Sequence, residues 1–361
     1  MFPIFIFAVI IFYVILISRF IKGWDELPDF ETEKMPAQIP VTIITAFKNE
    51  AKNLQKLAIS LDNQSYQNFE WILVDDHSTD ESVEMMNEII NQGMFGVKII
   101  QNKRNGKKEA IRTALYQSKN ELVITLDADV IPDKDWLLNI VAYQEKHPSD
   151  LLICPVKLEE SNKFWGKFQQ FEFATLIASG AGASKIGIPI LCNGANLMFQ
   201  KSKWLENEQK LHFKEFSGDD IYLLQAIKKQ NGVIRFLKST NATVTTKSCK
   251  SLYQFLKQRK RWAGKKAMYG DKELFITALI VFLASAVLLT TAAFATFKDY
   301  YPSILLLIFL AKLSVDLMMF WKIKGFFKLK NILIFSVIFS VIYPFYVVFT
   351  AVNSLFARNK W

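Results

Sequence analysis

Cysteine is scarce in this sequence, which contains Cys154, Cys192 and Cys249 among its 361 residues. So few and so widely separated cysteines exclude a protein that depends on a disulfide framework. The sequence also has no Cys-x-x-Cys pair and no cluster of histidine and cysteine with the spacing of a zinc site. We therefore expect the soluble part of the chain to face a reducing compartment.

A dinucleotide-binding loop and a basic recognition helix are also missing. The segment Gly-Ala-Gly-Ala-Ser-Lys at 180–185 lacks the third glycine of such a loop and follows no predicted strand. Lysine and arginine number 44 against 34 aspartates and glutamates, a net charge of +10 that indicates an anionic partner. Because the basic residues cluster beside apolar segments and not on one recognition helix, we exclude nucleic acid as that partner.

The apolar residues, 51% of the chain, are concentrated at its two ends. Residues 1–17 are almost all apolar and are followed by Arg19 and Lys22, the reverse of the charge order in a cleavable signal peptide. This order predicts an N-terminal transmembrane anchor over residues 1–22, with its basic end and the segment after it in the cytoplasm. A buried or interfacial helix is the alternative.

Three further apolar segments, 274–297, 301–321 and 332–352, are each long enough to cross a bilayer. We therefore predict a three-span transmembrane region over residues 273–361. Lysines precede the first of these spans and separate the second from the third, as the positive-inside rule requires when the preceding segment is cytoplasmic. The chain is thus expected to be an integral membrane protein with a cytoplasmic domain between its anchor and its C-terminal spans.

Lys312 and Asp316 lie within one of these spans, one helical turn apart, so they can form an ion pair on one helix face. Such a pair marks either a polar pathway through the membrane or a contact that fixes helix packing. We favour packing, because no second charged span accompanies it.

Strand and helix patterns alternate in the segment between the apolar ends. Four apolar, β-rich runs, at 39–45, 69–74, 97–100 and 121–126, are separated by helical patterns with short connections. This alternation is typical of right-handed βαβ units and predicts an α/β fold with a mostly parallel sheet, which we place at residues 38–248. Ligands of such sheets bind beyond the carboxyl ends of the strands.

Acidic pairs follow two of the predicted strands at that edge. Asp127 and Asp129 come directly after the fourth run, and their spacing places both carboxylates on one side if the strand geometry continues. Two such carboxylates need a shared cation, and Mg²⁺ or Mn²⁺ bound together with substrate phosphates fits that need. A surface turn is the alternative. Asp75 and Asp76, after the second run, either contact a nucleotide or begin a helix.

Other candidate residues lie at the ends of neighbouring elements. Glu50, beyond the first run, would line the same crevice. Lys107 is the best phosphate-binding candidate in a basic loop at 103–108, although a solvated loop or a lipid-headgroup contact explains that loop equally well. Asp219 and Asp220 either begin a helix or include a general base for an acceptor hydroxyl.

A basic, aromatic and amphipathic segment at 249–272 precedes the C-terminal spans and is predicted to form an interface helix. Gln258, Arg261 and Trp262 share one face of that helix. A membrane-surface helix with an interfacial tryptophan explains this pattern. The functional alternative places Arg261 against a departing diphosphate and Trp262 beside an acceptor.

Six motifs occur in an order and spacing that resembles the membrane-bound family 2 glycosyltransferases. They are Lys48-Asn49-Glu50, Val74-Asp75-Asp76-His77-Ser78, Asn105-Gly106-Lys107, Asp127-Ala128-Asp129, Gly218-Asp219-Asp220 and Gln258-Arg259-Lys260-Arg261-Trp262. The resemblance covers about residues 41–262 and looks like the branch of ceramide glucosyltransferases and cellulose and hyaluronan synthases. It implies a GT-A fold, a nucleotide-diphospho-sugar donor, with a UDP-sugar favoured, a divalent cation at the Asp-x-Asp motif, and inversion at the anomeric carbon.

The resemblance also implies a role for each matching residue. Glu50, Asp75, Asp76, Lys107, Asp127 and Asp129 would bind the donor, and Asp127 and Asp129 would also hold the metal. Asp220, with Asp219 beside it, would be the catalytic base. Gln258, Arg261 and Trp262 would line the acceptor and diphosphate end.

The acceptor is inferred from the size of the membrane region. Three C-terminal spans are few for a polymer-conducting channel, so we expect transfer of one sugar to a lipid hydroxyl at the cytoplasmic membrane face. A processive polysaccharide synthase, which could be an oligomer, is the alternative enzyme. A membrane transporter or channel with a cytoplasmic regulatory domain is the alternative outside enzymes.

Overall fold

The computed structural model describes residues 2–94, 96–211, 218–263, 270–297 and 301–355. Contacts divide the chain into two compact units. The sheet unit comprises Leu27–Glu159 and Leu191–Lys247, and the helical unit comprises Met1–Glu26, Glu160–Ile190 and Ser248–Trp361.

Helices and strands alternate along most of the chain. In order, they are α1 (Phe2–Glu26), β1 (Val41–Phe47), α2 (Ala51–Asp62), β2 (Phe69–Asp75), α3 (Ser82–Asn91), β3 (Val97–Gln101), α4 (Lys107–Gln117), β4 (Leu122–Leu126), β5 (Ile131–Pro132), α5 (Trp136–Lys146), β6 (Leu151–Ile153), β7 (Val156–Leu158), α6 (Phe164–Lys185), β8 (Asn196–Gln200), α7 (Lys201–Asn207), a 3-10 turn (Glu208–Lys210), α8 (Asp219–Lys229), β9 (Ile234–Phe236), β10 (Val244–Thr246), α9 (Leu252–Ala263), α10 (Lys272–Phe294), α11 (Tyr301–Phe327) and α12 (Ile332–Leu355).

The larger sheet of the sheet unit has the strand order β3-β2-β1-β4-β8-β6-β9. Strand β1 pairs in parallel with β2 and β4, and β2 pairs in parallel with β3, whereas β8 runs antiparallel to β4 and β6. Strand β4 is buried from Val123 to Leu126, as expected for a strand at the centre of an α/β sheet. The predicted α/β fold with a mostly parallel sheet is therefore confirmed, and the carboxyl ends of β1, β2 and β4 meet at one edge.

A smaller sheet of order β5-β10-β7 lies in the same unit. Strand β10 pairs antiparallel with β5 and parallel with β7. Because β5 begins shortly after Asp129, this pairing brings Thr246, the last residue of β10, to the Asp129 carboxylate. The smaller sheet thereby brings Thr246, from far along the chain, to the edge of the larger sheet that carries Asp127 and Asp129, which we call the acidic edge.

Two helices begin at residues that differ from the sequence prediction. Asp75 and Asp76 do not themselves begin a helix: the backbone N–H of Ser78 donates to the Asp75 carboxylate (2.9 Å) and closes a turn, and helix α3 begins at Ser82. Helix α4 begins at Lys107, so Lys107 and Lys108 belong to its first turn and not to the predicted basic loop.

Within the described residues, four helices of the helical unit, α1, α10, α11 and α12, are long and apolar enough to cross a membrane. The predicted single N-terminal and three C-terminal apolar helices are therefore confirmed. Helix α1 continues to Glu26, beyond the predicted end of the anchor at 22. Helix α6 belongs to the helical unit, whereas the sequence analysis predicted that its residues belong to the α/β domain at 38–248. The other predicted boundaries remain predictions.

Helices α1 and α6 meet backbone to backbone at two glycines. A Cβ atom on Gly182 would lie 2.0 Å from the carbonyl oxygen of Phe20, and one on Gly23 would lie 2.2 Å from the carbonyl oxygen of Gly182. Glycine alone permits so close an approach of two helices. The glycine-containing segment at 180–185 thus lies inside α6 and contributes a packing contact instead of a dinucleotide loop.

We expect Gly182→Ala to destabilise the helical unit by about 1–3 kcal/mol, the usual cost of overpacking, because the backbone of α1 must move away. Gly325→Ala is the matched control, since Gly325 is also helical and a Cβ added there meets nothing within 4 Å. Thermal unfolding in detergent, followed by circular dichroism, measures both variants. Equal unfolding temperatures for the two would contradict this helix contact.

The predicted ion pair between Lys312 and Asp316 is present in α11. Asp316 also accepts hydrogen bonds from the hydroxyls of Tyr13 in α1 (2.7 Å) and Ser340 in α12 (3.3 Å). The ammonium of Lys312 lies 5.1 and 5.5 Å from the ring centroids of Tyr13 and Tyr343. The pair joins α1, α11 and α12, which supports the packing interpretation.

Candidate active site

The Asp-x-Asp motif lies directly beyond the buried strand β4. Asp127 forms an ion pair with Lys107, and each of these side chains is 35% exposed. Asp129 accepts a hydrogen bond from the Thr246 hydroxyl (3.2 Å). Burial raises the pKa of Asp129, and the charges of Asp127 and Glu50 raise it further, whereas the bond from Thr246 lowers it. The carboxylates of Asp127, Asp129 and Glu50 therefore interact at this edge of the sheet.

Lys107 is the cation at the centre of this acidic edge. It occupies the first turn of α4, directly after Gly106, whose φ of 101° is accessible to glycine and strained for other residues. Burial lowers the pKa of Lys107, but the carboxylates of Asp127, Asp219 and Asp220 outweigh burial and raise it overall. The ammonium of Lys107 therefore interacts electrostatically both with Asp127 after β4 and with the two acids at the start of α8.

Asp219 and Asp220 form the first turn of α8, after Gly218 in a left-handed conformation (φ 95°). Asp220 accepts hydrogen bonds from the backbone N–H groups of Gly194 (3.1 Å) and Ile221 (2.8 Å). A Cβ on Gly194 would lie 3.4 Å from the Asp220 Cβ and 3.5 Å from Asp219 Oδ2, so both acids flank this glycine. The two sequence alternatives are compatible, because the acids begin the helix and also face the acidic edge.

The loop that contains Gly194 leads into β8, which pairs with β4. The N–H of Asp127 points to the carbonyl oxygen of Ala195 at 3.5 Å. This pairing explains why residues so far apart in sequence converge on one edge.

Glu50 stands at the start of α2, beyond β1. Its carboxylate accepts a hydrogen bond from the Asn53 amide (2.6 Å), whose oxygen accepts one from Lys247 (3.1 Å). Neither Lys247 nor Thr246 was predicted as a site residue. No motif in the sequence distinguishes them, because their position depends on the pairing of β10 with β5 and β7.

Asp75 and Asp76, the predicted nucleoside contacts, both accept hydrogen bonds from protein groups. Asp76 accepts from the N–H of Gly106 (2.9 Å) and from the amide of Asn102 (2.6 Å), and so orders the turn that leads to Lys107. Asp75 is buried and accepts from the N–H of Ser78. Their contact with a nucleoside stays a prediction.

Gln258, Arg261 and Trp262 belong to α9 in the helical unit. Gln258 and Trp262 are half-buried, and the Trp262 ring lies 6.3 Å from that of Phe173, between centroids. Arg259, which the sequence pattern left without a role, is 4% exposed and forms an ion pair with Glu172 of α6. The roles implied for Gln258, Arg261 and Trp262 at the acceptor end stay predictions.

The residues at the acidic edge fit a divalent cation whose coordination sphere is completed by oxygens of the substrate. Among the residues that the structure describes, no group of three or more histidines, cysteines or carboxylates is arranged to hold a metal ion on its own. Magnesium-type ions commonly use one or two protein carboxylates and take further oxygens from substrate phosphates and water. Asp127 and Asp129 supply two such carboxylates, with Lys107 and Thr246 as their present partners.

A mostly parallel sheet with carboxylates and a lysine at its strand ends agrees with the GT-A fold that the sequence resemblance implies. The family model described as "Glycosyl transferase family 2" matches residues 42–204 of this chain.

Curated relatives match parts of the chain. An undecaprenyl-phosphate 4-deoxy-4-formamido-L-arabinose transferase of Proteus mirabilis is 34% identical over 110 residues, 29% of this chain and 34% of that protein. A poly-beta-1,6-N-acetyl-D-glucosamine synthase of Staphylococcus aureus is 24% identical over 180 residues, 49% of this chain and 43% of that protein. The chain thus spans less than half the length of these relatives.

One solved structure resembles the fold along almost the entire chain. The mannosyltransferase PcManGT from Pyrobaculum calidifontis, in complex with GDP-Man and Mn²⁺, has a TM-score of 0.62, 18% identity and 98% coverage of both chains. At this identity the likeness shows the fold and leaves the donor and the acceptor open.

Proposed function

We propose that the protein transfers one sugar, with inversion, from a nucleotide-diphospho-sugar to a lipid acceptor at the cytoplasmic face of a membrane. A UDP-sugar is the first donor to test. The observation that carries the proposal is the convergence of Lys107, Asp127, Asp129 and Asp220 at the carboxyl edge of the sheet, through the Lys107–Asp127 ion pair and the contacts of the loop at Gly194 with Asp127 and Asp220. An anionic diphosphate fits beside Lys107 if a divalent cation offsets the neighbouring carboxylates.

Each residue of the acidic edge has a chemical task in this proposal. Asp220 takes the proton of the acceptor hydroxyl as its oxygen bonds to the anomeric carbon and the bond from that carbon to the diphosphate breaks. Lys107 binds the phosphate oxygens that leave with the nucleoside diphosphate. Asp127 and Asp129 would hold a divalent cation, which neutralises charge on the leaving group when bound.

The membrane helices and the relatives support a lipid acceptor. The helical unit contains four apolar helices among the described residues, and one relative is by name an undecaprenyl-phosphate transferase. The lysines beside the C-terminal spans support a cytoplasmic catalytic domain. The similarity to a poly-beta-1,6-N-acetyl-D-glucosamine synthase favours one alternative, a processive polysaccharide synthase.

Product analysis separates these two functions. Purified protein in lipid vesicles is incubated with UDP- or GDP-sugars and with Mg²⁺ or Mn²⁺. The acceptor is either diacylglycerol, which has a free hydroxyl, or undecaprenyl phosphate. We expect one glycolipid with a single added sugar in the organic phase. A ladder of oligosaccharides in the aqueous phase would contradict single transfer and support the synthase.

We expect Lys107→Met to weaken binding of a nucleoside diphosphate by about 10- to 100-fold, the loss of one charge-assisted hydrogen bond to a phosphate. Lys103→Met is the matched control, because Lys103 is an exposed lysine of the same segment. Calorimetric titration of both variants with UDP or GDP and Mg²⁺ measures the difference. If both variants bind as the wild type does, Lys107 is not a phosphate ligand.

A further inference from the structure

Arg259 lies in the most basic motif of the sequence, yet its side chain is buried. Its guanidinium donates from Nε to one oxygen of Glu172 (2.9 Å) and from Nη2 to the other. Glu172 is also buried, with 6% exposure. The planar fork of arginine matches both carboxylate oxygens, a geometry that the single ammonium of lysine cannot reproduce.

The guanidinium of Arg259 also fixes its neighbours on α9. Its Cζ lies 4.6 Å from the ring centroid of Phe255 and 4.2 Å from that of Trp262. A third nitrogen, Nη1, donates to the side-chain oxygen of Gln258. One side chain thus contacts both Gln258 and Trp262 and restricts how their side chains turn.

The opposite end of this ion pair is fixed by two other helices. Glu172 lies on α6, and the hydroxyl of Tyr346 on α12 donates to it (3.1 Å). Gln169, one turn earlier on α6, exchanges hydrogen bonds with the backbone of Cys249 just before α9 (2.8 and 3.0 Å). Arg259 on α9 is therefore anchored to α6 and α12.

We propose that Arg259 is a positioning residue for sugar transfer, which sets the side-chain orientations of Gln258 and Trp262 through its fork to Glu172. The inference rests on the proposed function, because Gln258 and Trp262 are the residues that the family resemblance places at the acceptor end. It adds Arg259 and Glu172 to the residues on which acceptor use depends. The proposed donor-binding residues Lys107, Asp127 and Asp129 lie in the sheet unit, so we expect donor binding to be independent of Arg259 and Glu172.

The test compares Arg259→Lys with Lys257→Gln. Arg259→Lys retains the charge that Glu172 requires, so the helical unit is expected to fold, but it loses the fork and the planar contact with Trp262. Lys257→Gln is the matched control, because Lys257 is an exposed lysine on the same helix. Size-exclusion chromatography confirms that both variants are folded.

The first readout is fluorine NMR of protein labelled with 5-fluorotryptophan, in which Trp262→Phe identifies the Trp262 signal. We expect one Trp262 signal in the wild type and in Lys257→Gln, and a shifted or divided signal in Arg259→Lys. An unchanged Trp262 signal in Arg259→Lys would overturn the proposal, whatever the acceptor is.

The second readout is the initial rate of transfer to undecaprenyl phosphate or diacylglycerol in phosphatidylethanolamine–phosphatidylglycerol vesicles. We expect Arg259→Lys to raise KM for the acceptor about tenfold, the effect of one lost charge-assisted hydrogen bond, and to leave KM for the donor unchanged. A purely structural role would lower the unfolding temperature and leave both KM values unchanged, which would overturn the inference. If the wild type uses neither lipid, the proposed acceptor fails, and the NMR readout still decides on Arg259.

Discussion

Asp220→Asn is expected to slow sugar transfer to a lipid hydroxyl, such as that of diacylglycerol, by about 10²- to 10⁴-fold while the nucleotide sugar still binds, because asparagine cannot accept the proton of the acceptor hydroxyl. The amide oxygen of asparagine can still accept one of the two backbone hydrogen bonds that Asp220 receives, from Gly194 or from Ile221. We therefore expect the sheet unit to remain folded. Steady-state rates and calorimetric donor binding, measured on the same preparation, separate chemistry from binding.

Two control variants define what the Asp220 result means. Asp219→Asn changes the neighbouring acid of the same helical turn and is expected to reduce turnover much less. Asp133→Asn changes an exposed aspartate of the sheet unit and is expected to have no effect. If Asp220→Asn turns over as fast as the wild type, Asp220 is not the base. If Asp219→Asn alone abolishes turnover, the base is the first acid of the pair.

The second large effect is expected in the membrane helices. Asp316→Leu leaves the fully buried ammonium of Lys312 without its carboxylate and is expected to cost about 3–5 kcal/mol of stability. The double change Lys312→Met with Asp316→Leu removes both charges and is expected to recover most of this loss, because an apolar pair of similar size needs no partner. Thermal unfolding in detergent measures both proteins.

The comparison of the single and double variants distinguishes packing from a polar pathway. For packing, the double variant is stable and retains transferase activity. If the double variant is stable but inactive, the ion pair has a function beyond holding α1, α11 and α12 together. If the single variant is as stable as the wild type, the ion pair contributes nothing to helix packing.

The acidic edge could be predicted from local sequence because the strands that present it are continuous apolar runs. Strand β4 leads directly into Asp127, and the parallel pairing of β1, β2 and β4 brings their carboxyl ends together. The ion pair between Lys312 and Asp316 could also be predicted from the sequence, since it depends on helix periodicity alone. The acidic edge follows from the alternation of strands and helices along the chain, and the ion pair follows from the spacing of residues within one helix.

Other contacts could not be predicted because they depend on tertiary pairing. Thr246 reaches Asp129 through the smaller sheet, whose strands of two or three residues leave no periodic pattern. Arg259 resembles a solvated basic residue in the sequence, and the fold alone shows its partner Glu172 on another helix. Asp76 has the sequence position of a ligand contact, and the structure adds its bonds to the turn before Lys107.

Release of a nucleoside diphosphate is the measurement that tests the glycosyltransferase proposal most directly. Wild-type protein in acceptor-containing vesicles is compared with the double variant Asp127→Asn and Asp129→Asn, with and without Mg²⁺ or Mn²⁺, across UDP- and GDP-sugars. We predict cation-dependent release by the wild type, matched by glycosylated product, and its loss in the double variant. Equal release by both proteins, or release from none of the donors under any condition, would contradict a cation-assisted diphosphate site at this edge of the sheet.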